Sequence, residues 1–247
     1  MLRCTGLSKS FDGVRALSNV ELEFPVSGIV AIIGPNGAGK TTLLNVLTGF
    51  LKPDAGRCFI DDREITHLRP HHIARLGVAR TFQDLRLILQ VPCLENVLLA
   101  RPGQGGERLL PALLRYGVAA EEDRNRAEAL RLLRFVGLES KATELAGELS
   151  YGQQKLLTIG CCLATEGRVL LLDEPVAGVH PEMGEKILGL LRELRQAGKL
   201  IVFVEHDLAA VRQVADTVIV MDDGKVIAQG TPQEVLERPE IMEAYLA

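Results

Sequence analysis

Continuous apolar runs alternate along the chain with stretches whose apolar residues recur every three or four positions. The runs GIVAIIG (28–34), VLLLD (169–173) and LIVFVE (200–205) are typical of strands buried on both faces of a sheet. Segments with helical spacing follow each of them, for example KTTLLNVLTGF after the first and HPEMGEKILGLLRELRQAG after the second. This alternation predicts an α/β fold with a mostly parallel sheet covered by helices on both faces.

Four further segments predict additional strands. NVELEF (19–24) alternates apolar and polar residues, which is typical of a strand with one exposed face. RCFID (57–61) and VARTFQ (78–83) are short strand candidates. TVIVMDDGKVIAQG (217–230) predicts a hairpin that turns at Asp223 and Gly224.

The middle of the chain has a different pattern, because no clear strand occurs between Leu85 and Leu149. CLENVLLA, LLPALLRY and AEEDRNRAEALRLLRFVGL have helical spacing, and the glycine-rich RPGQGGER separates the first two. We therefore predict one domain made of an α/β core, about 1–84 and 165–247, with antiparallel strands near its N-terminus and an inserted α-helical subdomain at about 85–164. No internal repeat is present in the sequence.

Composition narrows the class of protein. The 247 residues are 47% hydrophobic with a net charge of −4, which allows a proper core and argues against nucleic acid as the main partner. The five cysteines form no C-x-x-C pair, so we interpret them as small buried apolar residues in a reducing compartment. The N-terminal segment has no apolar signal sequence and no run is long enough to span a membrane, so we expect a cytoplasmic protein, at most peripheral to a membrane.

A glycine-rich loop carries the first clear chemical signal. GPNGAGKT fits G-x-x-x-x-G-K-[ST] in full, with a predicted strand before it and a predicted helix after it. In such a loop the backbone amides and the helix N-terminus bind phosphate, the lysine reaches the β- and γ-phosphates, and the threonine hydroxyl ligates Mg²⁺. The predicted ATP-binding residues are Gly34, Pro35, Asn36, Gly37, Ala38, Gly39, Lys40, Thr41 and Thr42.

Two adjacent carboxylates follow the buried run VLLLD. Asp173 would end a strand at the sheet edge where ligands bind in open α/β folds, and we predict that it holds Mg²⁺. Glu174 would orient and deprotonate the attacking water. The alternative is a pair of solvated turn residues, but the phosphate loop in the same chain favours the catalytic interpretation.

The order of GPNGAGKTT, TFQ, LSYGQQK, VLLLDEP and VEHD resembles the nucleotide-binding subunit of an ABC transporter over essentially the whole chain. The resemblance implies that Gln83 contacts Mg²⁺ and the attacking water and begins the loop that senses the membrane subunits. It implies that His206 contacts the γ-phosphate, although a single histidine is more often an ordinary residue. It also places Phe11 against adenine, with a core phenylalanine as the alternative.

In the family that this chain resembles, the signature LSYGQQK acts on ATP that another subunit holds. The resemblance implies that Ser150, Gly152 and Gln153 bind the γ-phosphate of ATP held by another subunit, helped by the N-terminus of the following helix. We therefore expect an ATP-dependent head-to-tail dimer, formed with an identical chain or a related one.

Several positions refine the resemblance. Tyr151 stands where many relatives have glycine, and importers of branched-chain amino acids often have tyrosine there. His180 replaces the aspartate or asparagine of the loop that passes between the two ATP sites, which puts communication between the sites in question. His67, His71 and His72 lie in a charged segment and are expected to be solvated.

The segments around TFQ and LENV are similar to those of amino-acid importers, while DEPVAG and VRQVAD lean towards urea importers. The expected function is therefore ATP hydrolysis that powers uptake of branched-chain or hydrophobic amino acids through separate membrane subunits, with a solute-binding protein acting indirectly. Urea or short amides are the alternative substrates.

Three other classes of protein are less favoured: a soluble ABC ATPase acting on nucleic acid or ribosomes, an exporter, and a non-catalytic ATP-gated module. The expected location is the cytoplasmic face of the inner membrane.

Overall fold

The computed structural model describes residues 1–103, 118–238 and 241, and the chain divides into two compact units. The first unit combines Met1–Arg80 with Arg168–Ala247, and the second is Thr81–Gly167. The boundaries expected from the sequence, 84 to 85 and 164 to 165, lie within four residues of these.

The described residues contain the strands and helices that follow. The strands are β1 (Leu2–Phe11), β2 (Val14–Glu23), β3 (Gly28–Ile33), β4 (Ala55–Ile60), β5 (Arg63–Glu64), β6 (Val78–Arg80), β7 (Val169–Asp173), β8 (Leu200–Val204), β9 (Thr217–Asp222) and β10 (Lys225–Gly230). The α-helices are α1 (Lys40–Leu47), α2 (Pro70–Arg75), α3 (Cys93–Leu99), α4 (Val118–Phe135), α5 (Tyr151–Ala164), α6 (Pro181–Gln196), α7 (Leu208–Val214) and α8 (Pro232–Leu236). Among these elements, β1, β5, α2 and α8 were not predicted from the sequence.

The first unit is built on a six-stranded sheet with the order β10-β9-β3-β8-β7-β6. Every neighbouring pair is parallel except β9 and β10, as the apolar runs predicted. The register pairs Val204 of β8 with Ile32 of β3 on one side and with Asp173 of β7 on the other. The carboxyl ends of these three strands therefore share one edge of the sheet.

A second, antiparallel sheet of the first unit has the order β2-β1-β4-β5. One buried cluster joins its side chains to those of α1 and of the six-stranded sheet; Leu7, Leu43 and Val202 are representative members. Packing of α1 against both sheets fixes the end of the loop that precedes this helix.

The hairpin prediction is confirmed and one strand prediction is partly wrong. Asp223 and Gly224 connect β9 to β10 with φ values of 44° and 72°, as a two-residue hairpin turn requires. The strand expected over VARTFQ ends at Arg80 instead of Gln83. Among the described residues this strand pairs with β7, and the pairing ends at Arg80 and Leu171. Residues from Thr81 onwards belong to the second unit.

The second unit is helical in its described part, as predicted for the inserted segment. Helices α3, α4 and α5 pack against one another, and Gly160 of α5 lies close to Val136 and Val97. Asn96 of α3 accepts a hydrogen bond from Ile88 N–H at 2.9 Å and donates to Ile88 O and Pro92 O at 3.1 and 3.2 Å. This buried amide therefore fixes the backbone of the segment that precedes α3.

Three expectations fall at least partly outside the described residues: the LLPALLRY helix (109–116), most of the RPGQGGER turn (101–108), and the EAYLA end (243–247). Within residues 1–103, 118–238 and 241, no helix has the length and hydropathy needed to cross a membrane.

Candidate active site

The loop between β3 and α1 has a backbone path that only glycine can follow at two positions. Gly34 has φ 151° and Gly39 has φ 95°. A Cβ atom on Gly34 would lie 2.0 Å from Met221 O, and one on Gly39 would lie 2.3 Å from Ala16 O. The loop is thus pressed against the neighbouring backbone and curls at the start of α1. The first amide groups of a helix have no partner within it, so this N-terminus suits a phosphate.

Lys40 is the cation of this loop. It is 6% exposed, and Nζ donates to Gly34 O at 2.7 Å and to Pro35 O at 2.8 Å. Burial lowers the pKa of Lys40, while the negative charges of Glu174 and Asp173 act in the opposite direction. The remaining predicted loop residues differ in exposure: Asn36, Gly37 and Thr41 are exposed, Pro35 and Thr42 are half-buried, and Ala38 is buried.

Asp173 ends β7 at the shared edge of the sheet, and an arginine that the sequence analysis did not single out lies beside it. Arg80 Nη2 is 3.4 Å from Asp173 Oδ2, and the two side chains are 4% and 6% exposed. Arg80 Nη1 also donates to Asn45 Oδ1 at 2.7 Å and to Thr48 Oγ1 at 3.1 Å. The guanidinium therefore ties the Asp173 carboxylate to α1 and to the residue that ends it. A basic residue closing the apolar segment LGVAR was the only available signal.

Glu174 and His206 come together at the same edge. Glu174 Oε1 lies 3.5 Å from His206 Nε2, and Glu174 N–H donates to Val204 O at 3.0 Å. The backbone of Glu174 is left-handed with φ 48°, which is uncommon for a residue other than glycine. Such strain is concentrated at functional sites. The carboxylate is only partly exposed and can accept a proton from a water molecule next to the loop.

The structure excludes the interpretation of Phe11 as a core residue. Its side chain is not in the core, because the residue is 42% exposed at the end of β1. Lys9 Nζ lies 5.4 Å from the ring centroid. An exposed aromatic face is what stacking on a base requires.

Ser150 begins α5 as its N-cap. The side-chain oxygen accepts a hydrogen bond from Gln153 N–H at 3.4 Å, and Gln153 Oε1 accepts one from Ser150 N–H at 3.0 Å. This reciprocal pair is a capping box, and it gives both side chains a local role that the sequence analysis did not assign. A hydroxyl can accept and donate at once, so the capping role leaves a phosphate contact possible. Gly152 is buried in the first turn.

The other residues for which the sequence predicted a functional role or a solvated environment are exposed. Gln83 is exposed in the second unit, just after the chain leaves β6. His180 is exposed and precedes α6, and its side chain does not cap that helix. His67, His71 and His72 are exposed, in agreement with the expectation. Tyr151 is 47% exposed, and Lys155 Nζ lies 5.2 Å from its ring centroid.

A strand, a glycine loop with a buried lysine, a helix, and a carboxylate ending a parallel strand two positions away in the same sheet define a phosphate-loop nucleoside triphosphatase. A family model described as "ABC transporter" matches residues 17–177. The chain belongs to this family, and its fold is that of an ABC ATPase.

Curated relatives match over the full chain. The high-affinity branched-chain amino acid transport ATP-binding protein BraF of Pseudomonas aeruginosa is 38% identical over 248 residues, covering 100% of this chain and 97% of BraF. LivG of Escherichia coli K12, of the same description, is 38% identical over 250 residues with the same coverage. The probable LivG of Archaeoglobus fulgidus is 37% identical over 246 residues, covering 100% and 95%.

Solved structures agree with this assignment. A nucleotide-free ATP-binding cassette from an ABC transporter has a TM-score of 0.87 and 35% identity, covering 100% of this chain and 99% of that one. The ADP conformation of the cassette MJ1267 has a TM-score of 0.86 and 34% identity, covering 100% and 98%. A dimeric cassette, MJ0796, has a TM-score of 0.79 and 30% identity, covering 94% and 99%. The predicted fold class, family, nucleotide binding and ATPase activity are thereby confirmed.

Proposed function

We propose that this ATPase powers the uptake of branched-chain amino acids through separate membrane subunits. The observation that carries the proposal is the full-length similarity to transport ATP-binding proteins whose names specify these substrates. The sheet edge formed by β3, β7 and β8 supports it, because it brings the phosphate loop, Asp173 and Glu174 to one place in this chain. The names of these relatives do not favour urea or short amides, the alternative substrates.

In the proposed site the amides of the loop and Lys40 bind the ATP phosphates. Thr41 and Asp173 would hold Mg²⁺, together with phosphate and water oxygens, and Gln83 would join them as predicted. The donor set fits Mg²⁺, which binds through one or two protein oxygens and keeps several waters. In the described part of the chain there is no cluster of three or more acidic, histidine or cysteine side chains that would form an all-protein cage. When bound, the ion neutralises charge on the phosphates.

Glu174 acts as the base in this proposal. Its carboxylate orients the attacking water and accepts its proton, as the general base of a hydrolytic reaction must. His206, 3.5 Å from Glu174, would contact the γ-phosphate and also restrain the carboxylate. Phe11 would stack on adenine with its exposed ring.

We propose that two chains bind head to tail, so that Ser150, Gly152 and Gln153 of one chain meet the ATP held by the other. The N-terminus of the 14-residue helix α5 would add its partial positive charge to this contact. The dimeric structure of MJ0796, a related cassette, supports the pairing of two chains. A partner that is a related ATPase subunit would complete the site equally well.

We further propose that the first unit is the nucleotide-binding core and the second is the signature subdomain. Gln83 and the helical unit would dock on the membrane subunits at the cytoplasmic face of the inner membrane, where the solute-binding protein acts only indirectly. A rigid-body movement of such a unit can transmit ATP binding to a partner.

Proteoliposomes that contain the membrane subunits, the binding protein and this chain test the proposed substrate. Leucine, isoleucine or valine should stimulate ATP hydrolysis and accumulate inside, and Glu174→Gln should abolish both. Stimulation by urea and not by these amino acids would instead support the alternative substrate. Hydrolysis that no solute stimulates would contradict both importer assignments.

A further inference from the structure

Glu205 is a buried acid at the active-site edge that the predicted chemistry does not use. It directly follows β8 and is 1% exposed, whereas its neighbour His206 is exposed. Full burial of a glutamate side chain is rare unless its oxygens are paired, because removing a charge from water is costly. The partners of this carboxylate therefore indicate why it is there.

The two carboxylate oxygens accept hydrogen bonds from two different loops. Oε1 accepts from Val176 N–H at 2.8 Å, and Oε2 accepts from His206 N–H at 3.2 Å. Val176 lies two residues after Glu174, in the loop that leaves β7. Glu205 thus links the loop of the proposed base to the backbone of His206.

This link bears on the strained backbone of Glu174. Its φ of 48° can persist only when the surroundings hold it in place. Upstream, Glu174 N–H is held by Val204 O at 3.0 Å; downstream, Val176 N–H is held by Glu205. Both sequence neighbours of Glu205 therefore contact Glu174. Val204 O accepts a hydrogen bond from Glu174 N–H, and His206 Nε2 lies 3.5 Å from Glu174 Oε1.

We propose that Glu205 is a positioning residue for ATP hydrolysis, which holds the Glu174 loop and the His206 backbone in one arrangement and so aims the Glu174 carboxylate. A carboxylate suits this role because both of its oxygens are acceptors, while glutamine offers one acceptor and places an NH₂ group against an N–H. The inference rests on the proposed role of Glu174 as the base.

The test compares ATP hydrolysis by wild type, Glu205→Gln and Asp216→Asn. Asp216 is the matched control because its carboxylate also accepts a backbone hydrogen bond, from Ile29 N–H at 2.9 Å, but at the opposite end of β3. Glu205→Gln should lower kcat at least tenfold, since a misplaced catalytic group costs up to about 100-fold. The KM for ATP should stay within about twofold, because the phosphate loop is untouched. Asp216→Asn should keep wild-type kcat.

A double-mutant cycle separates a positioning role from a general structural one. In single-turnover assays, Glu205→Gln should cost nothing further in a Glu174→Ala chain, because the group it aims is already absent. An equal fold loss in both backgrounds would overturn the proposal. If Glu205→Gln does not fold, Glu205→Asp serves instead, since its shorter carboxylate cannot reach both N–H groups; wild-type kcat in that variant would also overturn the proposal.

Comparison of each variant with wild type keeps the two proposals apart. If Glu205→Gln hydrolyses ATP with the wild-type kcat, the positioning role alone is overturned. If Glu174→Gln hydrolyses ATP with the wild-type kcat, the base assignment is contradicted and, with it, the role of Glu205.

Discussion

The guanidinium of Arg80 lies 3.4 Å from the carboxylate of Asp173, and both side chains are almost fully buried. Arg80 also donates to Asn45 of α1 and to Thr48, the residue that follows this helix, so one side chain joins the strand β6, Asp173 and the helix that follows the phosphate loop. Removing one member of a buried ion pair leaves the other charge without compensation, which costs more than the pair itself contributes.

Arg80→Met should therefore lower the free energy of unfolding by about 3–5 kcal/mol, measured by urea denaturation. Arg80→Lys should also destabilise the chain, because a single ammonium cannot reproduce the forked contacts. Arg168→Met is the control: its partner is Asp61, both side chains are exposed, and little or no change is expected. Equal stability of the two methionine variants would contradict the account of Arg80.

Ser150 has two roles that substitution can separate. Ser150→Ala removes the acceptor of the capping box and should cost about 1 kcal/mol of stability. Ser150→Asp keeps an N-cap acceptor and should retain stability, but its negative charge should repel a phosphate and abolish ATP-dependent dimerisation. Thermal unfolding and size-exclusion chromatography with ATP measure the two effects. Normal dimerisation of Ser150→Asp would exclude a phosphate contact at this position.

Gln83 is expected to matter more for coupling than for binding. Gln83→Ala should leave ATP affinity nearly unchanged, since the loop amides and Lys40 supply most of the proposed phosphate contacts, while transport per ATP hydrolysed should fall. Equilibrium ATP binding and the transport-to-hydrolysis ratio in proteoliposomes are the measurements. A parallel loss of ATP binding and transport would count against the coupling role.

The five cysteines should be unreactive in the folded protein. All are free thiols; four are buried, and Cys161 keeps part of its surface exposed. Burial raises the pKa of Cys4 and of Cys161 to about 12, and raises the pKa of Cys58, Cys93 and Cys162 as well. At pH 8 these thiols should therefore stay protonated, whereas the thiolate is the reactive form.

Titration with a thiol-specific disulfide reagent at pH 8 should therefore detect fewer than one thiol in the native state and five in guanidinium chloride. Rapid labelling of the native protein would contradict the burial.

These thiols also imply a pH dependence of stability. Because their folded-state pKa values are raised, their contribution to the free energy of unfolding is present below the unfolded thiol pKa of about 8.5 and falls as pH rises towards 12.

The sequence predicted those parts of the site that are local along the chain. The phosphate loop is a contiguous motif whose glycines and flanking elements can be recognised together, and Asp173 ends a continuous apolar run. Arg80 and Glu205 were not predicted, because their roles depend on which strands are neighbours and in what register. The sequence also gave no sign that Glu174 has a left-handed backbone or that β6 ends at Arg80, since both follow from contacts with other strands.

For Ser150, the prediction missed a local feature that the sequence does contain. The motif LSYGQQK indicates a helix N-terminus and, by resemblance, a phosphate of another chain. The capping box with Gln153 is a local feature that its spacing could have revealed, because Ser and Gln stand three residues apart before an apolar run.

The most direct test of the central claim is the molar mass of Glu174→Gln in the presence of Mg²⁺ and ATP, measured by light scattering during size-exclusion chromatography. The variant should bind ATP, fail to hydrolyse it, and elute as a dimer; with ADP, or with Ser150→Asp added, it should elute as a monomer. A Glu174→Gln chain that hydrolyses ATP at the wild-type rate, or remains a monomer when saturated with ATP, would contradict the account.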